Sequence, residues 1–435
     1  MTGSLREPDA EQRAALQRLV AAWAGPGVAA AEDVELVDVA LLHDGRPGVV
    51  DVLARVGNRS GDAGVERPGD RLVHAVLGLR RPGDELHVLG AREDPVLGLL
   101  DDEHGLAVVV DGLHDADVAE LLLVAVGGPA EAGPPTVERE AAPPPGPVLT
   151  VSVAEDEHDP VVAFGERCAL RVFRRPRPGP HPGVALLVAL DRAGFNHLPA
   201  PLAVWRRGGT DLGIVVERHV GAAPGWALAL ASLRDLCARS GSPEEAGGDF
   251  APEARALGTM VGRLHLALDA AFGRRAEPVA TWAAAVEPVA ALEGEAAAAL
   301  RALRSSPARA PAIRLHGDLH LGRTARTDQG WILVDTTPGA ERYGSPLADV
   351  ADVLWSFHHA ATLTAAQLGR DPLGHPEAAS SCAAWEARNR RAFVAGYLST
   401  PGVAGLVPPD REVVGQLTAL FEAAREARVA ARAER

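Results

Sequence analysis

The sequence predicts an α+β protein of more than one domain, and three observations predict it. Short apolar runs separated by glycine- and proline-rich turns fill the first half of the chain, which is typical of antiparallel sheet. From residue 225 onward, apolar residues recur at helical spacing. The 435 residues exceed one ordinary domain, and a proline-rich segment over 128–147 interrupts the strand-rich half.

Residues 1–127 form the first predicted domain, a β-rich N-terminal cap domain with the helix that follows it. A short amphipathic helix is predicted over 8–24 and a second helix over 114–128, where two glycines end it. The strands predicted between them lie at 34–42, 48–56, 71–79, 85–91 and 106–113. We expect the first hundred residues to have no catalytic role, because no cluster of His, Asp or Cys marks them.

The connector over 128–147 leads to a second predicted domain, a small lobe at 148–220. It contains three strands, a helix near 182–194 and two more strands; the strands are predicted at 148–153, 161–164, 168–173, "LAVWRR" and 212–220. The third predicted domain, 221–435, is a helical large lobe. Its helices are predicted over 225–240, 251–272, 278–304, 346–363, 377–398 and 408–433, and the last of them is interpreted as an ordinary closing helix.

Composition excludes several classes of protein. The net charge of −15 argues against a nucleic-acid partner, whose binding depends on basic residues. The chain has no lysine, so neither a P-loop lysine nor a Schiff-base lysine is available. Three widely spaced cysteines indicate a reducing compartment, and no apolar run is long enough to span a membrane. These features, with a polar N-terminus, predict a cytoplasmic protein without a membrane partner.

The stretch "RLHGDLHLGRT" at 314–324 carries the chemistry. Asp318 lies in a short loop, and Asp335 ends the apolar strand "WILVD" seventeen residues later. Phosphoryl transfer needs a carboxylate beside the acceptor hydroxyl and oxygen ligands on Mg²⁺. We therefore predict that Asp318 accepts the acceptor's proton and that Asp335 holds Mg²⁺, with ATP as phosphoryl donor and Arg323 beside both. The pattern predicts a protein-kinase-like bilobal fold.

The segment "HGDLHLGR…GWILVDTTPGAERYGSPLADVADVLWSFHHAA" resembles the bacterial maltokinases, relatives of the aminoglycoside phosphotransferases. The segments "ALRVFRRPRPGPHP" and "WEARNRRAFVAGY" resemble the ATP-contacting strand and a substrate-side helix of that family, and the likeness covers nearly the whole chain. The resemblance implies a protein-kinase-like bilobal fold with an N-terminal cap domain, to which the first hundred residues are similar. It also implies an enzyme, a kinase that uses ATP to convert maltose to maltose 1-phosphate.

The resemblance also implies roles for single residues. Arg171, Glu217 and Arg323 would contact the nucleotide, and Asp349 would support the catalytic loop through its backbone. His316 would orient the loop and is counted with Asp318 as catalytic. The small-molecule sugar would meet polar and aromatic side chains of the substrate-side helix: Trp385, Glu386, Arg388 and Tyr397.

The chain departs from the family pattern at the nucleotide. Arg171 stands where an ATP-contacting lysine is expected, and Arg323 replaces a metal-binding amide. The helix glutamate that would orient the lysine falls near Ala185, and Thr337 replaces a second carboxylate. The loop "AEDEHDP" at 154–160 is acidic and would repel phosphates. The expected nucleotide and metal site is thus degenerate, and two alternatives stay open: a pseudokinase that binds a sugar or partner protein, and a kinase for an amino sugar or aminoglycoside.

Overall fold

The computed structural model describes residues 5–24, 33–57, 71–89, 95–127, 136–139, 151–155, 159–238, 249–286, 292, 294–336, 342–369 and 378–433. It divides into two compact units, Met1–Val184 with Ala200–Val220 and Ala185–Pro199 with Gly221–Arg435. Sheet dominates the first unit and helix the second, so the predicted α+β class is confirmed.

The first unit contains two antiparallel sheets. Their elements are α1 (Ala10–Ala24), β1 (Val34–His43), β2 (Gly48–Val56), β3 (Arg71–Arg80), β4 (Val96–Asp102), β5 (Gly105–Asp111), α2 (Ala116–Gly127), β6 (Thr136–Arg139), β7 (Val151–Glu155), β8 (Pro160–Phe164), β9 (Cys168–Val172), β10 (Pro201–Arg207) and β11 (Thr210–Glu217). The five-stranded sheet has the order β1-β2-β3-β5-β4, and the six-stranded sheet has the order β6-β10-β11-β9-β8-β7. Helix α3 (Pro182–Arg192) crosses the boundary between the units.

Alternation along β2 explains how its sheet is covered on both faces. Val50, Val52 and Ala54 pack with α1 in one core, whereas Val49 and Leu53 belong to a second core. Because successive side chains of a strand point to opposite faces, a nearly continuous apolar run indicates burial on both.

The second core joins the two sheets of the first unit. It contains α2 residues, the inward side chains of β9 and the buried ring of Trp205. The predicted cap domain and small lobe therefore share one core, and their division into separate domains stays a prediction.

The second unit is mainly helical and contains two small antiparallel sheets. Its further elements are β12 (Ala223–Pro224), α4 (Gly225–Ala238), α5 (Ala251–Phe272), β13 (Arg274–Pro278), α6 (Val279–Val286), α7 (Gly294–Arg304), β14 (Arg309–Arg314), β15 (Thr324–Thr327), β16 (Gly330–Leu333), β17 (Tyr343–Gly344), α8 (Leu347–Leu368), α9 (Ala378–Leu398) and α10 (Arg411–Ala433). The sheets have the orders β12-β15-β16 and β13-β14-β17. They hold the two ends of the stretch that contains Asp318.

Three predicted segments differ from the structure. Residues 85–89 are not a sheet strand, because Leu89 N–H donates to the His114 carbonyl and His87 accepts from Ala116, so this run pairs with the segment before α2. The fourth strand of the sheet is β4. Part of the predicted connector forms β6 and pairs with β10, and the helix predicted over 278–304 is two helices.

No helix among the described residues combines the length and apolar character that crossing a membrane requires.

Candidate active site

The loop that contains Asp318 follows β14, and a side chain of α8 hydrogen-bonds to its backbone. Gly317 has φ +88°, a conformation that other residues rarely adopt. The sequence His316-Gly317-Asp318 therefore requires glycine at its centre. The buried Asp349 carboxylate accepts the backbone N–H of His316 at 2.8 Å and that of Gly317 at 2.9 Å. The contact expected of Asp349 is therefore present, and it fixes the backbone on which Asp318 stands.

His316 is fully buried and ties the loop to the segment that follows β16. Its Nε2 lies 2.9 Å from the Asp335 carbonyl, and its Nδ1 lies 3.4 Å from the backbone nitrogen of Asp318. A neutral ring with the proton on Nε2 satisfies both contacts. Burial is the main cause that lowers the pKa of His316 to about 4.

Arg323 joins the two aspartates. Its Nη2 donates to Asp318 Oδ2 at 3.0 Å, and its Nη1 donates to Asp335 Oδ2. The Arg323 carbonyl accepts the N–H of Val334 at 2.9 Å, which ties the turn before β15 to the segment after β16. The predicted meeting of Asp318, Asp335 and Arg323 is confirmed, and each of these side chains stays about one fifth exposed.

A second guanidinium reaches Asp318 from α10. Arg425 Nη1 donates to Asp318 Oδ1, so both oxygens of this carboxylate accept from arginines. Burial alone would raise the pKa of Asp318, but the hydrogen bond and charge of Arg425, with His320 and Arg323, outweigh it and lower the pKa. Asp318 is therefore ionised at neutral pH.

Asp352 lies buried behind this group on α8. Its carboxylate is 3.8 Å from Arg425 Nη1 and 3.6 Å from Arg428 Nη2. Burial raises the pKa of Asp352 to about 7, and the neighbouring Asp349 and Asp318 also raise it against the two arginines. The site thus contains a carboxyl group that changes charge near neutral pH.

The arrangement does not fit Mg²⁺ between the two aspartates. Asp318 and Asp335 both accept from Arg323 through Oδ2, so the guanidinium lies between the two carboxylates, and a guanidinium cannot be a metal ligand.

Arg171 and Glu217 lie in the first unit. Arg171 follows the buried Leu170 on β9 and faces away from the core, and Glu217 is the exposed last residue of β11. In the acidic loop, Asp159 accepts the backbone N–H of Arg174 at 3.0 Å. Residues 156–158 and Thr337 are outside the described residues. Ala185 lies in α3, as expected.

Two of the residues predicted to meet the sugar are core residues. Trp385 is 1% exposed, packs among aromatic rings and donates from Nε1 to Ser232 Oγ at 3.0 Å. Tyr397 is equally buried, and its hydroxyl lies 2.9 Å from His265 Nδ1. Their burial corrects the expectation that these rings stack on a ligand. The composition of α9 is suited to sugar recognition, but Trp385 and Tyr397 lie on the face of the helix that packs against the core.

The other two lie nearer the surface of the same helix. Arg388 forms a two-pronged ion pair with Asp249, at 3.0 and 2.7 Å. Glu386 lies 3.2 Å from His358 Nδ1 and 3.7 Å from Arg390 Nη1.

Glu386 lines a cavity of about 1250 Å³ in the second unit. Its walls come from α7, α8, α9, α10 and the segment between the last two. The carboxylates in its lining are Glu295, Glu386, Glu422 and Glu426. Trp355 also lines it, and the Arg425 guanidinium lies 5.4 Å from the Trp355 ring, so Arg425 contacts both the cavity wall and Asp318.

Arg425 and Arg428 are the site residues that sequence reasoning missed. They are three apart on α10 and therefore share a face, which was a visible signal. The carboxylates that these arginines contact could not be predicted from the sequence, because the packing of α10 against α8 decides which acidic side chains lie opposite that face.

The curated proteins to which the sequence is similar include two glucosamine kinases. A glucosamine kinase from Streptacidiphilus jiangxiensis is 30% identical over 278 residues, which are 56% of this chain and 61% of that protein. Another, from Mycolicibacterium smegmatis (strain ATCC 700084 / mc(2)155), is 26% identical over 205 residues, 42% of this chain and 50% of that protein. The chain thus spans between half and about three fifths of the curated relatives it matches. No family model matches it.

Solved structures extend the likeness to nearly the whole chain. A glucosamine kinase in complex with glucosamine, ADP and inorganic phosphate has a TM-score of 0.65 at 22% identity, covering 97% of this chain and 94% of that one. Crystal form A of a glucosamine kinase gives 0.64 at 22% identity, covering 97% and 93%. The fold predicted from the sequence is confirmed, and the relatives are glucosamine kinases where the sequence suggested maltokinases. The chain has the kinase-like fold of these solved glucosamine kinases.

Proposed function

We propose that the protein is an ATP-dependent sugar kinase whose acceptor is an amino sugar, with glucosamine as the first candidate. The observation that carries the proposal is that Asp335, which follows β16, is joined to His316 and Asp318 of the loop that Asp349 holds. The names of the relatives support glucosamine over the maltose that sequence motifs suggested.

The cavity is lined by charges of both signs, four carboxylates and the guanidinium groups of Arg390, Arg391 and Arg411. Glu386 and Glu422 both approach Arg390, whose Nη2 lies 2.8 Å from each oxygen of Glu422. Burial raises the pKa of Glu422, and the charge of Glu386 adds to this, while Arg390 opposes both. The charges of this cavity therefore do not distinguish an amino sugar from an uncharged sugar, and the choice of glucosamine rests on the relatives.

In the proposed reaction the acceptor hydroxyl attacks the γ-phosphorus of ATP. The bond from that phosphorus to the bridging oxygen breaks, ADP leaves, and the hydroxyl proton passes to an oxygen of Asp318. The low pKa of Asp318 keeps it ionised and able to accept a hydrogen bond from the acceptor. Because arginines already donate to both of its oxygens, the acceptor must share or displace one of these contacts. In the first unit, Arg171 and Glu217 are the proposed nucleotide contacts.

A coupled assay of ADP release tests the proposal with glucosamine, N-acetylglucosamine, glucose and maltose. We expect turnover with glucosamine, and a loss of about 100-fold or more in Asp318→Asn, because a positioned base contributes at least that much. The matched control is Asp328→Asn, an exposed aspartate in the turn between β15 and β16, which should retain the wild-type rate. Equal rates with maltose and glucosamine would contradict the amino-sugar proposal.

The occupied oxygens of Asp318 favour a second candidate, a pseudokinase that binds an amino sugar without transferring phosphate. Calorimetric titration with glucosamine separates the two, since binding without ADP release in any of the assays supports the pseudokinase. Neither binding nor turnover with any of the four sugars would exclude both candidates.

A further inference from the structure

We propose that Arg323 is the resident cation of the candidate active site, in the place where two carboxylates would otherwise share a divalent metal ion. The part of the proposal that concerns the metal ion applies to the protein without nucleotide. Its consequence for ATP rests on the proposed function and is tested separately.

The geometry is that of a bridging cation. Separate guanidinium nitrogens of Arg323 donate to Asp318 and to Asp335, each through the Oδ2 atom. A planar guanidinium presents its donors in a fixed fork, so it can hold two carboxylates at a set separation. The backbone fixes it as well, because Val334 N–H donates to the Arg323 carbonyl.

The two aspartates are already paired with positive charges. Two carboxylates, Asp318 and Asp335, meet two guanidinium groups, Arg323 and Arg425. A divalent ion placed between the aspartates would have to displace Arg323 and would lie beside two retained positive charges. The ion and the two guanidinium groups carry like charges, which repel strongly at short range in a partly buried site. Replacing Arg323 with a neutral amide removes one positive charge and supplies an oxygen ligand.

The probe for the metal statement is Mn²⁺ alone, followed by the spectroscopic signal of the free ion in the full-length protein. We expect no Mn²⁺ site that depends on Asp335 in the wild type. Arg323→Gln should gain one such site at millimolar Mn²⁺, and Arg323→Gln/Asp335→Asn should lose it. The matched control is Arg326→Gln, which removes an arginine of the next strand whose partner is Glu253; it should bind Mn²⁺ as the wild type does.

Two results would overturn the metal statement. One is a wild-type Mn²⁺ site that Asp335→Asn abolishes. The other is the absence of any gained site in both Arg323→Gln and Arg323→Asn, with each variant shown by circular dichroism to be folded. Arg323→Asn is included because its side chain is shorter, so a failure that depends on the length of the glutamine side chain would be detected.

The consequence for nucleotide binding is measured by calorimetry of ATP with EDTA and with Mg²⁺. A phosphate group pairs well with a guanidinium, so the wild type should bind ATP equally with and without Mg²⁺. In Arg323→Gln, Mg²⁺ should tighten ATP binding by about tenfold or more. An equal gain from Mg²⁺ in the wild type would overturn this consequence. If ATP binds neither protein under either condition, the proposed function and this consequence both fail, whereas the Mn²⁺ result still decides the role of Arg323.

Discussion

Single residues of the candidate site show how burial sets protonation. His316 and Asp352 are both buried near Asp318, and burial moves their pKa values in opposite directions, because it disfavours the charged form of each. A histidine is thereby kept neutral and a carboxyl group is thereby kept partly protonated. Each shift makes the stability of the folded state depend on pH.

His316 should make the fold less stable in acid. Its pKa falls from an ordinary 6.5 to about 4 on folding, so the unfolded chain binds the extra proton first as pH falls. The contribution is fully present above pH 6.5 and is lost between pH 6.5 and 4, up to about 3 kcal/mol. Urea unfolding at several pH values should show a shallower acid dependence in His316→Gln than in the wild type. The exposed His104→Gln should retain the wild-type slope, and equal slopes in all three proteins would contradict the prediction.

Asp352 should have the opposite effect. Its folded pKa of about 7 exceeds the ordinary 3.8, so the folded state binds more protons between these values and loses stability as pH rises through them. Asp352→Asn should therefore be stabilised relative to the wild type by an amount that grows from acid to pH 7, to at most about 4 kcal/mol. Thermal unfolding across this range measures the difference. A constant difference at all pH values would show that Asp352 does not titrate there.

At the scale of elements, the second unit is organised by one close helix pair. Helices α5 and α9 approach so nearly that a Cβ at Gly258 would lie 2.1 Å from the Phe393 carbonyl oxygen, and one at Gly396 would lie 2.0 Å from that of Arg255. The pair buries His265 and Tyr397, and His265 Nε2 lies 3.4 Å from Asp349 Oδ2. The helix pair thus supports the loop that contains Asp318.

Gly396→Ala tests the helix contact. The added methyl group meets backbone atoms of α5 that cannot move alone, so we expect a loss of about 2 kcal/mol or more of unfolding free energy. The matched control is Gly415→Ala in α10, where nothing lies within 4 Å of the new methyl group. That change should stabilise the protein by about 0.5–1 kcal/mol, since alanine is the better helix former. Similar effects of the two substitutions would contradict the close approach.

Helices α4 and α9 are also close enough to be joined covalently. Cys237 Sγ and Cys382 Sγ lie 3.8 Å apart, and both thiols are free. Burial raises both pKa values, that of Cys382 to about 12, so reaction with diamide should be slow at neutral pH and should quicken as pH rises.

Diamide oxidises the two thiols to a disulfide and is itself reduced to the hydrazine. Peptide mapping without reductant should identify the Cys237–Cys382 bond, and the bond should raise unfolding stability by about 2–4 kcal/mol. Cys168→Ser is the control and should still form it, because Cys168 lies in the first unit. A map that pairs either thiol with Cys168 would contradict the assignment.

At the scale of the whole molecule, the first unit depends on a buried charged group between its two sheets. Asp51 on β2 lies 2.7 Å from His74 Nε2 and accepts from Arg207 of β10, and all three side chains are nearly fully buried. Burial alone would raise the pKa of Asp51, but His74 and Arg207 outweigh it and lower the pKa. The group lies beside the apolar core that the two sheets share.

Asp51→Ala should therefore loosen the first unit as a whole. Removing one partner leaves Arg207 and His74 with less compensation, at a cost of about 3–5 kcal/mol. Hydrogen exchange should increase across β8, β9 and β11, with little change in α5 and α9 of the second unit. The control is Asp101→Asn, an exposed side chain on β4. Faster exchange limited to β2 and β3 would show that the two sheets are stabilised independently.

The sequence by itself determined most elements of this protein and the identity of its central loop. Apolar periodicity located α5 over its full length, and the spacing of Asp318 and Asp335 predicted that they meet. These features depend on local pattern and on short separations along the chain, which a sequence displays directly.

Only the tertiary structure decided what surrounds that loop. Arg425 reaches Asp318 across 107 positions of sequence, and no local pattern specifies such a partner. The same limit explains Trp385 and Tyr397. Their residue types suggested contacts with a ligand, but both lie on the buried face of their helix. It explains β6 as well, since a four-residue strand exists only because β10 offers an edge to pair with. Contacts between distant segments depend on how whole helices and sheets pack, and that packing selects which charged side chains share the site.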